Sequence, residues 1–232
     1  MANKNKQQHK QSSPSRKVQE TKENVFLFIP NIIGFTRVIL AILSLYYMPN
    51  QPWTCMGLYI ISCLLDAVDG NAARYFKQCS KFGAVLDMVT DRSTTSCLLC
   101  FLATKYPSWT ILFQLLISLD LSSHYMHIYS SLTSGSSSHK HVSKSSNFIL
   151  HSYYSDNRVL FIFCALNELF FVALYLLSFD HEGLAPWLNI TIKSIAFLSF
   201  PICAGKQIIN VIQLTRASQT LANIDLAERR KI

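Results

Sequence analysis

The chain has 232 residues, half of them hydrophobic and only 15% charged, with a mean hydropathy of +0.24 and a net charge of +8. Soluble domains carry about 25% charged residues, and a water-soluble protein of this length has nowhere to hide so much apolar sequence, so a polytopic membrane protein built as one bundle is expected. The basic excess gathers at the two ends, in Lys4, Lys6, Lys10, Arg16, Lys17 and Lys22 and in Arg229, Arg230 and Lys231; it lacks interleaved aromatics, which argues against a nucleic-acid partner and suits the anionic face of a membrane.

Residues 1–24 are rich in Lys, Gln, Ser and Asn and have too little apolar content to fold alone. Within them SRKVQETKEN, at 15–24, reads equally well as a solvated tail and as an interfacial helix lying on the membrane. Six apolar stretches follow, near 25–48, 53–74, 83–104, 108–128, 159–178 and 187–213, each close to the ~20 residues of one crossing. The second has the shortest apolar run. The breaks PNQP, KYPS and HEGLAP hold Pro or Gly, which end helices. The first stretch follows a long polar tail and has no small-residue cleavage site, so it reads as a retained membrane helix. The connection at 129–158 is long, polar and serine-rich. The expectation is an all-α protein with six transmembrane helices in one bundle at 25–215, flanked by cytosolic tails at 1–24 and 216–232.

Lysine and arginine orient it. The loops at 49–52, 105–107 and 179–186 hold Lys105 alone, whereas the two tails and the connections with Lys77, Lys81, Lys140 and Lys144 hold most of the rest. The positive-inside rule puts both termini in the cytosol, as an even number of spans requires. Seven cysteines fall mostly inside apolar runs and read as small core hydrophobes; Cys97 and Cys100 form a CxxC with no second pair or histidine to complete a zinc site. The sequon at Asn189 lies in or beside an apolar run and is discounted.

Four aspartates stand out. Asp66 and Asp69 lie in the second stretch, Asp87 and Asp91 in the third. One carboxylate at the centre of a membrane helix costs about 2.5–3.5 kcal/mol on insertion scales, and four together repel. Spacings of three and four put each pair on one helix face, and two helices joined by a short loop are antiparallel neighbours whose acidic faces can converge. Four converging carboxylates make a hard oxygen site suited to Mg²⁺ or Mn²⁺. Two such ions bridge a diphosphate, Arg74 adds a cation for phosphate, and one carboxylate can act as general base. The plainer alternative is a buried ion-pair network in which Arg37, Arg74 or Arg92 neutralises the acids.

The pattern Asp66-x-x-Asp69-Gly70-x-x-Ala73-Arg74, eight residues, Gly83-x-x-x-Asp87-x-x-x-Asp91 matches every fixed position of the CDP-alcohol phosphotransferase motif, and the chain resembles that family. The resemblance implies a six-helix membrane enzyme that splits a CDP-linked donor, releases CMP and forms a phosphodiester with an alcohol. Carried over, Asp66, Asp69, Asp87 and Asp91 are the ligands of two divalent ions, Asp91 is also the proton acceptor, and Gly70 and Arg74 hold the CDP-bound donor. Ser80 matches a hydroxyl that contacts the donor in the inositol branch; by itself it reads as an ordinary loop serine. A homodimer is a further family expectation.

The runs at 30–48, 117–140 and 153–171 resemble the eukaryotic inositol-using branch, the phosphatidylinositol synthases. That resemblance implies CDP-diacylglycerol as donor, myo-inositol as acceptor and the endoplasmic reticulum membrane as location. For the polyol, Asp120 and His124 share a helix face, Asn167 and Glu168 sit inside the fifth stretch, and Lys140 and Arg158 lie near the cytosolic boundary. His124 reads equally as an interfacial histidine satisfied by water. Tyr125, Tyr129, Tyr153 and Tyr154 read as interface-belt aromatics. Competing readings are the same chemistry on glycerol phosphate, serine, choline or ethanolamine, a divalent-cation transporter, and a noncatalytic scaffold.

Overall fold

The computed structural model describes residues 24–134, 157–179 and 186–230. Six helices run through them: α1 (Ile29–Tyr47), α2 (Pro52–Tyr75), α3 (Lys81–Lys105), α4 (Thr110–Thr133), α5 (Asn157–Leu177) and α6 (Pro186–Arg229). Each expected span falls on one of them. The segment weighed as an interfacial helix lies, but for Asn24, outside the described residues, as do residues 135–156 of the long connection with Lys140, Tyr153 and Tyr154.

The protein is an all-α polytopic membrane protein. Four helices are long and apolar enough to cross a bilayer: α1, α2, α5 from Val159, and α6. The second stretch, shortest by apolar length, is among them. α3 and α4 have the length, 25 and 24 residues, but not the apolarity. The cause is chemical, since α3 carries Asp87, Asp91 and Arg92, and α4 carries Asp120 and His124. α6 is 44 residues long, or ~66 Å at 1.5 Å per residue, about twice the hydrocarbon thickness. Residues 216–229, read from sequence as tail, continue this helix without a break.

The buried positions of α1 are Pro30, Asn31, Gly34, Arg37, Ala41 and Ser44, a single stripe at spacings of three and four. Small residues on that stripe let α1 lie close against α2 and α3. A Cβ at Gly34 would come within 2.9 Å of the Leu86 side chain on α3. α6 buries a longer stripe, from Ile192 to Ala217, against α4 and α5. Large apolar side chains such as Ile39, Ile42, Ile60, Leu64, Phe197 and Leu198 remain exposed on the outer faces. In a membrane protein that surface meets lipid.

The packed apolar core sits at one end of the bundle. It joins Met48, Cys55, Leu98, Leu102, Phe171 and Tyr175, among others, which belong to the end of α1, the start of α2, the end of α3 and the end of α5. The other end holds the turn between α2 and α3. There Lys77 takes a left-handed conformation (φ 55°). Lys77 N–H donates to the Arg74 carbonyl and Gln78 N–H to the Ala73 carbonyl at 2.9 Å, the Schellman closure of a helix end. Gln78 Oε1 then accepts from the Ile29 backbone N–H at 2.9 Å, tying the turn to the start of α1.

Candidate active site

The α2–α3 turn reverses the chain so that the last turns of α2 face the first turns of α3. Asp66, Asp69 and Asp87 each bring one carboxylate oxygen to a common point, and the three oxygens lie within 4.8 Å of one another. Asp69 is buried, whereas Asp66, Asp87 and Asp91 are partly open. Asp91 is one turn further along α3 and is linked to the others through Arg37.

Arg37 is the centre of the arrangement. Its side chain is 2% exposed. Nη1 donates to Asp69 Oδ2 at 2.7 Å and Asp87 Oδ1 at 2.6 Å. Asp66 Oδ1 is also 2.8 Å from Nη1, but a guanidinium Nη has two hydrogens and both are used. Nη2 donates to Asp91 Oδ1 at 2.5 Å. The Nε nitrogen is buried with no hydrogen-bond partner among the described residues. Fully ionised, four carboxylates around one guanidinium carry a surplus of three negative charges. The donor set is all carboxylate oxygen, converging and short of positive charge, which is what a hard divalent cation needs.

Of the three arginines weighed as neutralisers, only Arg37 reaches all four acids. Arg92 turns to α4 instead, where its Nη1 donates to both oxygens of Asp120 at 2.9 and 3.0 Å; its Nη2 is 3.8 Å from Asp91. Arg74 is exposed, and its Nη2 donates to Asn71 Oδ1 at 2.7 Å. It stands on the same end of α2 as the acids without touching them.

The two motif glycines differ. A Cβ at Gly83 would fall 2.5 Å from Asn31 Oδ1, so side-chain volume there would collide with α1. A Cβ at Gly70 would meet only the Arg74 guanidinium, at 3.8 Å, so the space over Gly70 is open. Ser80 Oγ accepts from the Gly83 N–H at 2.9 Å and caps α3. Asn31 Nδ2 lies 3.5 Å from the same oxygen and donates to the Val25 carbonyl at 2.6 Å.

A cavity of about 200 Å³ adjoins the acids between α2, α3 and α5. Its inner wall includes Arg37, Asp66, Asp91 and Glu168; exposed apolar residues Ile60, Leu64 and Phe161 form its outer rim. Glu168 accepts from Tyr59 Oη at 2.7 Å and Thr95 Oγ1 at 2.8 Å. Thr95 lies one turn beyond Asp91 on α3.

Among the residues weighed for the polyol, Asp120 is committed to Arg92 and also accepts from Asn210 Nδ2 at 3.3 Å. His124 Nδ1 bonds the Asp120 backbone carbonyl at 2.8 Å. Asn167 Oδ1 accepts from Gln207 Nε2 at 3.1 Å. The side chain of Arg158 lies outside the described residues. Tyr125 and Tyr129 are exposed and stack on each other, in keeping with a belt position. All seven cysteines are free.

Sequence reasoning did not identify Asn31, Tyr59 or Thr95, and met Arg37 only as one of three possible neutralisers. The signal was the α1 stripe. Asn31, Gly34, Arg37 and Ser44 recur at helical spacing inside an otherwise apolar span, and polar or small residues on one face of a membrane helix mark a helix contact or a site.

Comparison with known proteins adds to this geometry. Residues 27–192 match the model of a family described as CDP-alcohol phosphatidyltransferase. A Schizosaccharomyces pombe protein described as CDP–diacylglycerol–inositol 3-phosphatidyltransferase is 52% identical, over 92% of this chain and 97% of its own. Proteins with the same description from Saccharomyces cerevisiae and Homo sapiens are 48% and 45% identical, over 92% and 90% of this chain and 94% and 98% of theirs. No solved structure matches the chain.

Proposed function

The chain belongs to the CDP-alcohol phosphatidyltransferase family, and we propose that it transfers the phosphatidyl group of CDP-diacylglycerol to myo-inositol, giving phosphatidylinositol and CMP. Relatives described by that reaction match it along nearly their whole length. The observation that carries the reading is the meeting of Asp66, Asp69 and Asp87 oxygens from two helices, within 4.8 Å and short of positive charge.

Held by Asp66, Asp69, Asp87 and Asp91, two Mg²⁺ or Mn²⁺ ions would neutralise the donor diphosphate and stabilise charge at the displaced phosphorus. The chain's own residues do the rest. Gly70 leaves room over α2 for the nucleotide, and Arg74 beside it grips a phosphate oxygen. Ser80 caps the N-terminus of α3, where the helix dipole favours an anion. Asp91 accepts the proton of the attacking inositol hydroxyl. That oxygen bonds to the phosphorus bearing diacylglycerol, the bond to CMP breaks, and CMP carries the electron pair away. The apolar rim of the cavity between α2 and α5 suits entry of the donor lipid from the bilayer, while Glu168 on its inner wall offers an acceptor for polyol hydroxyls.

The lysine and arginine distribution supports both termini and the acidic end of the bundle in the cytosol. We place the protein in the endoplasmic reticulum membrane as a homodimer, with the transferase domain at 25–215.

The test is purified protein with CDP-diacylglycerol and, in turn, inositol, glycerol phosphate, serine, choline and ethanolamine, with divalent ions added or chelated. CMP release that needs both inositol and metal is expected. Use of glycerol phosphate or serine with inositol ignored would overturn the acceptor assignment, and release undiminished by chelation would overturn the role of the four aspartates.

A further inference from the structure

Arg37 stands on α1, outside the aspartate motif, yet it occupies the oxygens that a divalent ion would use. Nη1 lies 2.6–2.8 Å from oxygens of three acids and has hydrogens for two. Nε is buried with no hydrogen-bond partner among the described residues. An ion pair retained for structure alone, deep inside a protein, ordinarily satisfies its donors. This one leaves Nε without an acceptor among the described residues. Arg37 also lines the cavity that reaches Glu168.

We propose that Arg37 is the resident counter-cation of the aspartate site, displaced by divalent ions from Asp66, Asp69 and Asp87 while Nη2 stays on Asp91. This rests on the metal-site reading above. In the absence of ions Arg37 keeps four repelling carboxylates converged, and Ser62 Oγ, which donates to the Arg37 carbonyl at 3.2 Å, helps hold that turn of α1 in place. When ions bind, two like charges compete for the same oxygens and the guanidinium withdraws toward the cavity. Arg37 is thus a positioning residue that sets the metal affinity from a helix the motif does not include.

A ligand that must displace a resident cation binds more tightly once the cation is removed. The probe is Mn²⁺ alone, followed by electron paramagnetic resonance on full-length protein in detergent, for wild type, Arg37→Gln and Arg37→Lys. Arg37→Gln is expected to bind Mn²⁺ about tenfold more tightly or better. Arg37→Lys should fall between, because a single ammonium spans fewer of the acids. The thermal unfolding midpoint of Arg37→Gln should also rise more on Mn²⁺ addition than that of wild type. If Arg37→Gln does not fold, Arg37→Lys decides alone. Equal or weaker Mn²⁺ binding in a folded variant overturns the proposal and makes Arg37 a fixed scaffold. Wild type that takes up no Mn²⁺ overturns the metal-site reading itself, and this inference with it.

Discussion

Arg37 and Arg92 are both buried against carboxylates, yet their surroundings differ in stoichiometry. Arg92 meets Asp120 through two bonds from one nitrogen, with Asn210 on the same carboxylate. Asp91 lies 3.8 Å from Arg92 and His124 Nδ1 3.6 Å from Asp120, so opposite charges here are close to balanced. Arg37 meets four acids, and its own Nε has no partner among the described residues. Balance marks a pair that holds helices together; imbalance marks a place where charge is still to arrive. Both occur within one turn of α3, since Asp91 and Arg92 are consecutive, so the same helix serves structure on one face and chemistry on the other.

Replacement at each cluster tests that contrast. Asp91→Asn is expected to cut turnover by about 10²–10⁴-fold while donor binding persists; a variant turning over at the normal rate would end its role as proton acceptor. Asp120→Ala should lower stability by about 1.5–3 kcal/mol, because Arg92 loses both bonds to Asp120 and keeps, among the described residues, an ion pair only with Asp91 at 3.8 Å. Pairing Asp120→Leu with Arg92→Met should restore most of that, as apolar pairs of similar volume commonly do. Thermal unfolding reads both, and an unchanged midpoint in Asp120→Ala would erase the distinction between the clusters. Arg74→Ala should weaken donor binding by about 1.5–3 kcal/mol, the worth of a charge-assisted bond, seen as a higher KM for CDP-diacylglycerol. The smallest effect is expected at the turn, where Lys77→Gly should stabilise by about 1 kcal/mol by removing left-handed strain.

The fold was legible wherever apolar length and punctuation agreed. The six α-helices among the described residues fall on the six apolar stretches, because Pro and Gly break the chain at several of the connections and hydrocarbon leaves the backbone no alternative to helix. The extent of α6 was not legible. LTRASQTLANIDLAER loses the apolar signal that marks a span but keeps good helix formers, so the helix outlasts the hydropathy that announced it. The aspartates were legible because carboxylates in hydrocarbon demand explanation. Arg37 was harder, since one arginine among three gave no hint of which would turn inward. It shares one buried stripe with Gly34 and Ala41, and only that stripe reveals its direction. Asp120 was weighed among several groups for the polyol; its carboxylate is engaged by Arg92 and Asn210, partners from two other helices that no local pattern could supply.

The side opening between α2 and α5 carries a kinetic consequence. Ile60, Leu64 and Phe161 at its rim are exposed and apolar, a surface suited to acyl chains rather than water. On the proposed route, lipid traffic through it would be two-dimensional, and donor and product lipid would compete for one gate. Occupancy then follows the mole fraction of each lipid in the surrounding leaflet, so diluting the donor with inert phospholipid slows the enzyme even when the total amount in the tube is unchanged.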